Sequence, residues 1–144
     1  MVVLAVGLLG LAGLQATSLK NSQNSYHRSV ATQLAYDMTD RMRANFTEAR
    51  KTAGNVYVSV QPDLAVKKTT CLSKDLGVCS SADMAQNDLF EWYQVIQGSL
   101  PRGSTGTITL TGNMFTITVS WTENRYSNGE NISGTTRFQT SFQL

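Results

Sequence analysis

Histidine, cysteine and proline are scarce in this chain of 144 residues, and each shortage removes a class of function. The only histidine, His27, sits among polar neighbours in a long helical stretch and reads as a solvated surface residue. Without a second histidine, or a GxSxG, HExxH, P-loop or GxGxxG pattern, no catalytic residue, metal ligand or cofactor site can be named. Asp88 and Glu91 lie a turn apart beside Trp92, but acid–base work needs a pocket that raises a carboxyl's pKa. An exposed helix face explains both, so an enzyme is not expected. Charge is also sparse: 15% of residues, with a formal net of +2. The basic residues are scattered from Lys20 onward, so no patch or stripe offers a footprint for nucleic acid. The first nineteen residues carry no charge at all.

Proline and glycine are absent from Leu14 to Ala53, so the chain is expected to open with one long helix ending near Ala53 at Gly54-Asn55. Residues 1–19 form its hydrophobic segment, for a membrane or a filament core, and 20–53 its amphipathic continuation. In the second part Leu19, Tyr26, Val30, Leu34, Met38, Met42 and Phe46 recur mostly at i, i+4 and make one stripe. Asp37 and Arg41 are spaced for an ion pair. Met1–Leu14 falls short of the roughly 20 apolar residues of a membrane span. It also lacks the basic start of a signal peptide. The expectation is a hydrophobic helix that continues upstream of Met1. Gly7, Gly10 and Gly13 leave a low face, which suits either a generic anchor or a helix built for close approach to other helices.

Residues 54–144 remain for one globular domain. Val56–Val60 reads as a short strand before Pro62, followed by a loop carrying Cys71 and Cys79. Their spacing fits neither a redox CxxC nor a zinc site. A disulfide between them would contribute about 2–3 kcal/mol and would need an oxidising compartment. Two free buried thiols are the alternative. A helix is expected over 81–98, capped by Ser80 or Ser81, with Met84, Leu89, Trp92, Ile96 and Val95 on its buried face. Strands fill 107–144: Ile108 and Leu110 alternate, then Phe115, Ile117, Val119 and Trp121, with Gly112-Asn113 as the hairpin turn. Ser127–Asn131 makes a second turn, and Phe138, Phe142 and Leu144 share a face of the last strand. Such a meander needs a cover, and the stripe on the first helix supplies it.

The opening block VVLAVGLLGLAGLQATSLKNSQNSYHRSVATQLAYDMTDRMRAN resembles the N-terminal helix of type IV pilus minor pilins of the PilV type. Cys79-Ser80, Leu89–Trp92, Leu100-Pro101-Arg102-Gly103 and Phe115–Trp121 extend the resemblance over nearly the whole chain. It implies an α+β, pilin-like fold, with a long N-terminal helix packed on an antiparallel sheet and a second, short helix. It implies a non-catalytic role in assembly or initiation of the pilus of a Gram-negative bacterium. The partners would be other minor pilins, the major pilin and a pilus-associated adhesin. The protein would lie in the inner membrane with a periplasmic domain, then in the pilus at the cell surface. Leu4, Val6, Leu8, Leu9, Leu11 and Leu14 would be buried among sister helices, with Gly7, Gly10 and Gly13 giving close approach. The family's prepilin leader, the glycine before its cleavage point and the glutamate near the mature N-terminus have no counterpart here, so the chain is expected to be N-terminally truncated. The Cys71–Cys79 position also departs from major pilins, which bridge their C-terminal region. Alternatives are a minor pseudopilin of a type II secretion system, which shares the helix and fold, and a membrane-anchored binding or adhesion module.

Overall fold

The uninterrupted stretch becomes helix α1, Val2–Ala44. The computed structural model describes residues 2–73, 75, 77–127 and 130–144, without the side chains of 2–5, 17, 125–127 and 131. α1 stops nine residues before the expected end, and Asn45 is the cause. Its side-chain amide donates to the Ser81 carbonyl (2.8 Å) and the Tyr57 hydroxyl (3.1 Å), bonds that an intact helix would not allow it to reach. A single further turn, α2 (Phe46–Ala49), follows. Its last carbonyl is taken by the Asn55 amide at 2.9 Å.

Val56–Val60 does not form the expected strand; Val56–Ser59 is a helical turn, α3. Two local bonds decide it. The Asn55 side chain accepts the Tyr57 N–H as an N-cap, and the buried Glu48 carboxylate accepts the Val56 N–H. Satisfying these donors outweighs the weak β-preference of the valines. Short 3₁₀ turns at Pro62–Leu64 and Thr69–Cys71 carry the chain to α4, Ser81–Ser99. Ser80 caps α4 as expected, its hydroxyl accepting the Asp83 N–H at 3.1 Å. Leu89, Trp92 and Ile96 are buried, joined by Ala85, whereas Met84 and Val95 stay on the exposed side.

Three antiparallel strands complete the chain in the order β1-β2-β3: β1 Thr105–Thr111, β2 Met114–Ser127 and β3 Glu130–Phe142. Gly112-Asn113 turns β1 into β2, with Gly112 at φ 60°, where L side chains are strained. Ser127 pairs with Glu130 across the second turn; Asn128 and Gly129 lie outside the described residues. Ile108, Phe115, Ile117, Val119 and Trp121 are buried on the inner face. The opposite face is a field of hydroxyls, with Thr105, Thr107, Thr109 and Thr111 on β1 exposed.

The cover for the inner face is shared. α1 lies over β2 and β3, while α4 packs beside α1 and over β1. Of the expected α1 stripe, Leu34, Met38 and Met42 are fully inside, with Ala31 and Ala35, and Val30 is half-buried. Leu19 and Tyr26 are exposed because they precede the part of α1 that docks on the domain; Phe46 is exposed because the helix has already ended. Two details lock the layers together. The Trp92 indole N–H donates to the Leu34 carbonyl at 2.8 Å. Gly106 on β1 lies directly under the Trp92 ring, where a Cβ would come within 2.4 Å of its carbon atoms.

Candidate functional site

Residues 6–23 of α1 project from the domain, their described side chains all exposed. At 1.5 Å per residue, this is a rod of about 27 Å. Val6, Leu8, Leu9, Leu11 and Leu14 are each 59–74% exposed. An ideal Cβ built on Gly7, Gly10 or Gly13 would meet nothing within 4 Å. Leu4 belongs to the same expected set, but its side chain lies outside the described residues. Covering the five exposed side chains would be worth on the order of 5–10 kcal/mol. No described part of the chain does so, and a contiguous apolar surface of this kind marks a binding surface. Among the described residues no helix is long and apolar enough to cross a membrane.

Polar anchors fix the direction in which the rod leaves the domain. Near its base Arg28 grips the buried Glu123 with both ends of its fork, Nε to Oε1 at 3.1 Å and Nη2 to Oε2 at 3.3 Å. This partnership raises the Arg28 pKa. Glu123 continues the inward alternation of Trp121 by two residues, so the period of the strand placed a carboxylate inside, a signal that reading the apolar residues alone misses. Nearby, His27 Nδ1 and the Trp121 indole nitrogen are buried without a hydrogen-bond partner among the described residues. His27 is therefore half-buried rather than the solvated surface residue expected.

Further along, Arg41 joins α1 to α4. It binds Asp37 at 2.9 Å, Glu91 at 2.9 Å and Asp88 at 3.2 Å. The Asp37 pair is the i, i+4 bridge expected. Asp88 is buried, not on an exposed face, and accepts the Tyr57 hydroxyl at 2.6 Å. Arg41, Asp88 and Asn45 line an open cleft of about 330 Å³, but each of them is already held by a partner within the domain.

The chain's neighbourhood among known proteins can now be stated. A family model described as Tt1218-like, type IV pilin Tt1218, matches residues 13–90, over half the chain, from within the exposed rod to the middle of α4. The chain belongs to this family of type IV pilins. No curated protein and no solved structure matches it. The family is structural rather than enzymatic, and it places the protein with other pilins in a pilus at the cell surface. The matched span covers the docked half of α1 and the first half of the helix that packs beside it.

The cysteines lie apart from the rod. In the loop before α4 the Sγ atoms of Cys71 and Cys79 are bonded at 2.02 Å. Among the described residues no group of three or more histidine, cysteine or carboxylate side chains could hold a metal ion.

The carboxylates of the pilin's anchor carry opposite pH dependences. Burial works to raise the Glu48 carboxyl, but Lys51, the Val56 N–H and the Ser81 hydroxyl together hold it below its usual 4.5. The Arg41 hydrogen bond likewise lowers Glu91. Stability from these two is complete above the unfolded carboxyl pKa and is lost as pH falls through their lower folded values. Asp88 is the reverse: burial raises it, despite Tyr57 and Arg41. Its folded state favours the proton, so its contribution grows as pH falls. The urea midpoint should therefore drop on acidification below about pH 4.5, and Asp88→Asn should make the drop steeper by removing the opposing group. A titration of the midpoint from pH 7 to 3 checks this; equal slopes in the two proteins would count against it.

Proposed function

We propose that this protein is a minor pilin of the PilV type that acts in assembly and initiation of the type IV pilus. Before assembly the rod sits in the inner membrane with the domain in the periplasm. The uncharged stretch Val2–Leu19 is about 27 Å long as helix, against a hydrocarbon core of about 30 Å. Gln15 and Ser18 fall at its head-group end. On assembly the rod exchanges acyl chains for the helices of other minor pilins and the major pilin, with a pilus-associated adhesin as a further partner. The observation that carries this reading is the exposed rod itself: Val6, Leu8, Leu9, Leu11 and Leu14 uncovered beside three glycines with open space above them. The glycines act by letting a neighbouring helix approach closely, since lipid is as apolar as leucine and gives little hydrophobic drive of its own. A cysteine pair before α4, rather than in the C-terminal region, supports a minor rather than a major pilin, and its disulfide fits the periplasm.

Gly10→Leu combined with Gly13→Leu should reduce piliation severalfold while leaving the urea midpoint of the domain unchanged, because both sites lie far from the core. Pilus counts by electron microscopy, in cells lacking the native gene, read the first effect. Normal piliation would refute the close-packing role. In the same preparation, alkylation without reductant should add no mass to the protein.

A further inference from the structure

We propose that residues 21–32 of α1 are a hinge, at which the rod changes its direction relative to the domain. The hinge belongs to the isolated chain; its use in carrying the rod from bilayer to pilus rests on the assembly reading above. The stretch reads NSQNSYHRSVAT. Nine of its twelve residues are asparagine, serine, tyrosine, histidine, valine or threonine, all in the weaker part of the helix-propensity order. In the next twelve, QLAYDMTDRMRA, only Tyr36, Asp37, Thr39 and Asp40 are of that kind. Neither proline nor glycine occurs in 21–32, so the weakness is spread over three turns rather than fixed as a kink.

Two side chains also compete with the helix ladder here. The Ser25 hydroxyl donates to the Asn21 carbonyl at 3.0 Å, and the Thr32 hydroxyl to the Arg28 carbonyl at 2.8 Å. Such back-bonding weakens a helix slightly and favours bending. Thr39 does the same to Ala35, but both of those residues are buried in the domain.

Support for α1 thins at the same level. Beyond Ser120 the sheet is reduced to β2 and β3, since β1 begins at Thr105, the partner of Ser120. Among the described residues, every hydrogen bond or ion pair between α1 and α4 lies at Leu34 or later. Upstream of Ala31, the first fully buried residue of α1, the contact with β2 is polar. Arg28 and Glu123 hold the direction seen in the structure, yet the Arg28 side chain is 58% exposed, so water competes for it. Beside them are the two buried nitrogens, His27 Nδ1 and Trp121 Nε1, that find no partner among the described residues. Orphaned groups of this kind regain water when a contact opens, which lowers the cost of lifting 24–30 away from β2. The Trp92 indole nitrogen is the contrast: its bond to Leu34 pins the next part of the helix.

The test uses the full chain in detergent. Amide hydrogen exchange should be faster at 24–30 than at 34–43, and the indole proton of Trp121 should exchange faster than that of Trp92. Spin labels on Ser18→Cys and Thr109→Cys, both exposed sites, read the distance from rod to sheet. Pulsed electron resonance should give a broad distribution in an otherwise wild-type chain, and Arg28→Ala should broaden it further. Ser22→Ala, Ser25→Ala and Ser29→Ala are exposed substitutions that favour helix by about two- to threefold each, so together they should slow exchange at 24–30 about tenfold and narrow the distribution. Unchanged protection of the Trp92 indole shows that the domain stays folded in each variant. A single narrow distance in the unstiffened chain, equal protection at 24–30 and 34–43, or no response to the three alanines would each overturn the hinge. None of these results involves pilus formation, so they would leave the assembly reading standing.

Discussion

Trp92→Ala should lower the stability of the domain by about 3–5 kcal/mol, the range for removing a fully buried tryptophan. Trp92 is 0% exposed and stands where three elements meet: α4 carries it, its indole bonds α1 at Leu34, and its ring lies on β1 at Gly106. The cavity left behind cannot close easily. α1 is held on the far side by Arg28–Glu123 and Arg41–Glu91, so the helices cannot slide together without breaking ion pairs. Trp92→Phe keeps most of the volume and loses the hydrogen bond, and should cost nearer 1–2 kcal/mol. Urea unfolding followed by circular dichroism separates the two; an alanine variant within 1 kcal/mol of wild type would contradict the central place given to this ring.

What was legible in the sequence was periodicity. Leu34, Met38 and Met42 follow the helix repeat, Phe115 to Trp121 follow the strand repeat, and both sets are where the pattern puts them. Ser80 and Gly112-Asn113 announced a cap and a turn through local chemistry that needs no tertiary context. What was not legible were residues whose role is set by distant partners. Asn45 ends α1 only because Ser81 and Tyr57 are there to receive its amide. Val56–Ser59 is helical because Glu48 and Asn55 take its first N–H groups. Nothing in VYVSV itself signals either partner. Asp88 looked like a surface carboxylate because its i, i+3 neighbour Glu91 is polar; Arg41 and Tyr57 bring it inside.

The candidate site divides the same way. The exposed rod was visible as a charge-free run with three glycines, because no described part of the chain folds onto it. A stripe read by helical spacing also overstated the docked length. Leu19 and Tyr26 have the right period, yet the domain does not reach them. Apolar periodicity tells which face of a helix is apolar, and the size of the partner decides how much of that face is covered.

Gly106→Ala should be almost as damaging as losing the tryptophan. One added methyl group would lie 2.4 Å and 2.5 Å from two Trp92 ring carbons and 2.7 Å from the Ile96 Cδ1. Real Cβ atoms do not approach so closely, so the ring, the strand or α4 must move. The ring is rigid and tied to Leu34 by its N–H, β1 is held to β2 along its whole length, and α4 is tied to α1 through Arg41. The strain therefore has no cheap outlet, and a loss of about 3 kcal/mol is expected, at the upper end of overpacking costs. A double-mutant cycle identifies the cause. With Trp92→Ala the space under residue 106 opens, so Gly106→Ala should then cost much less, giving a coupling of about 2 kcal/mol between the two sites. Additive losses would mean that the added methyl is resisted by Ile96 Cδ1, 2.7 Å away, and not by the Trp92 ring.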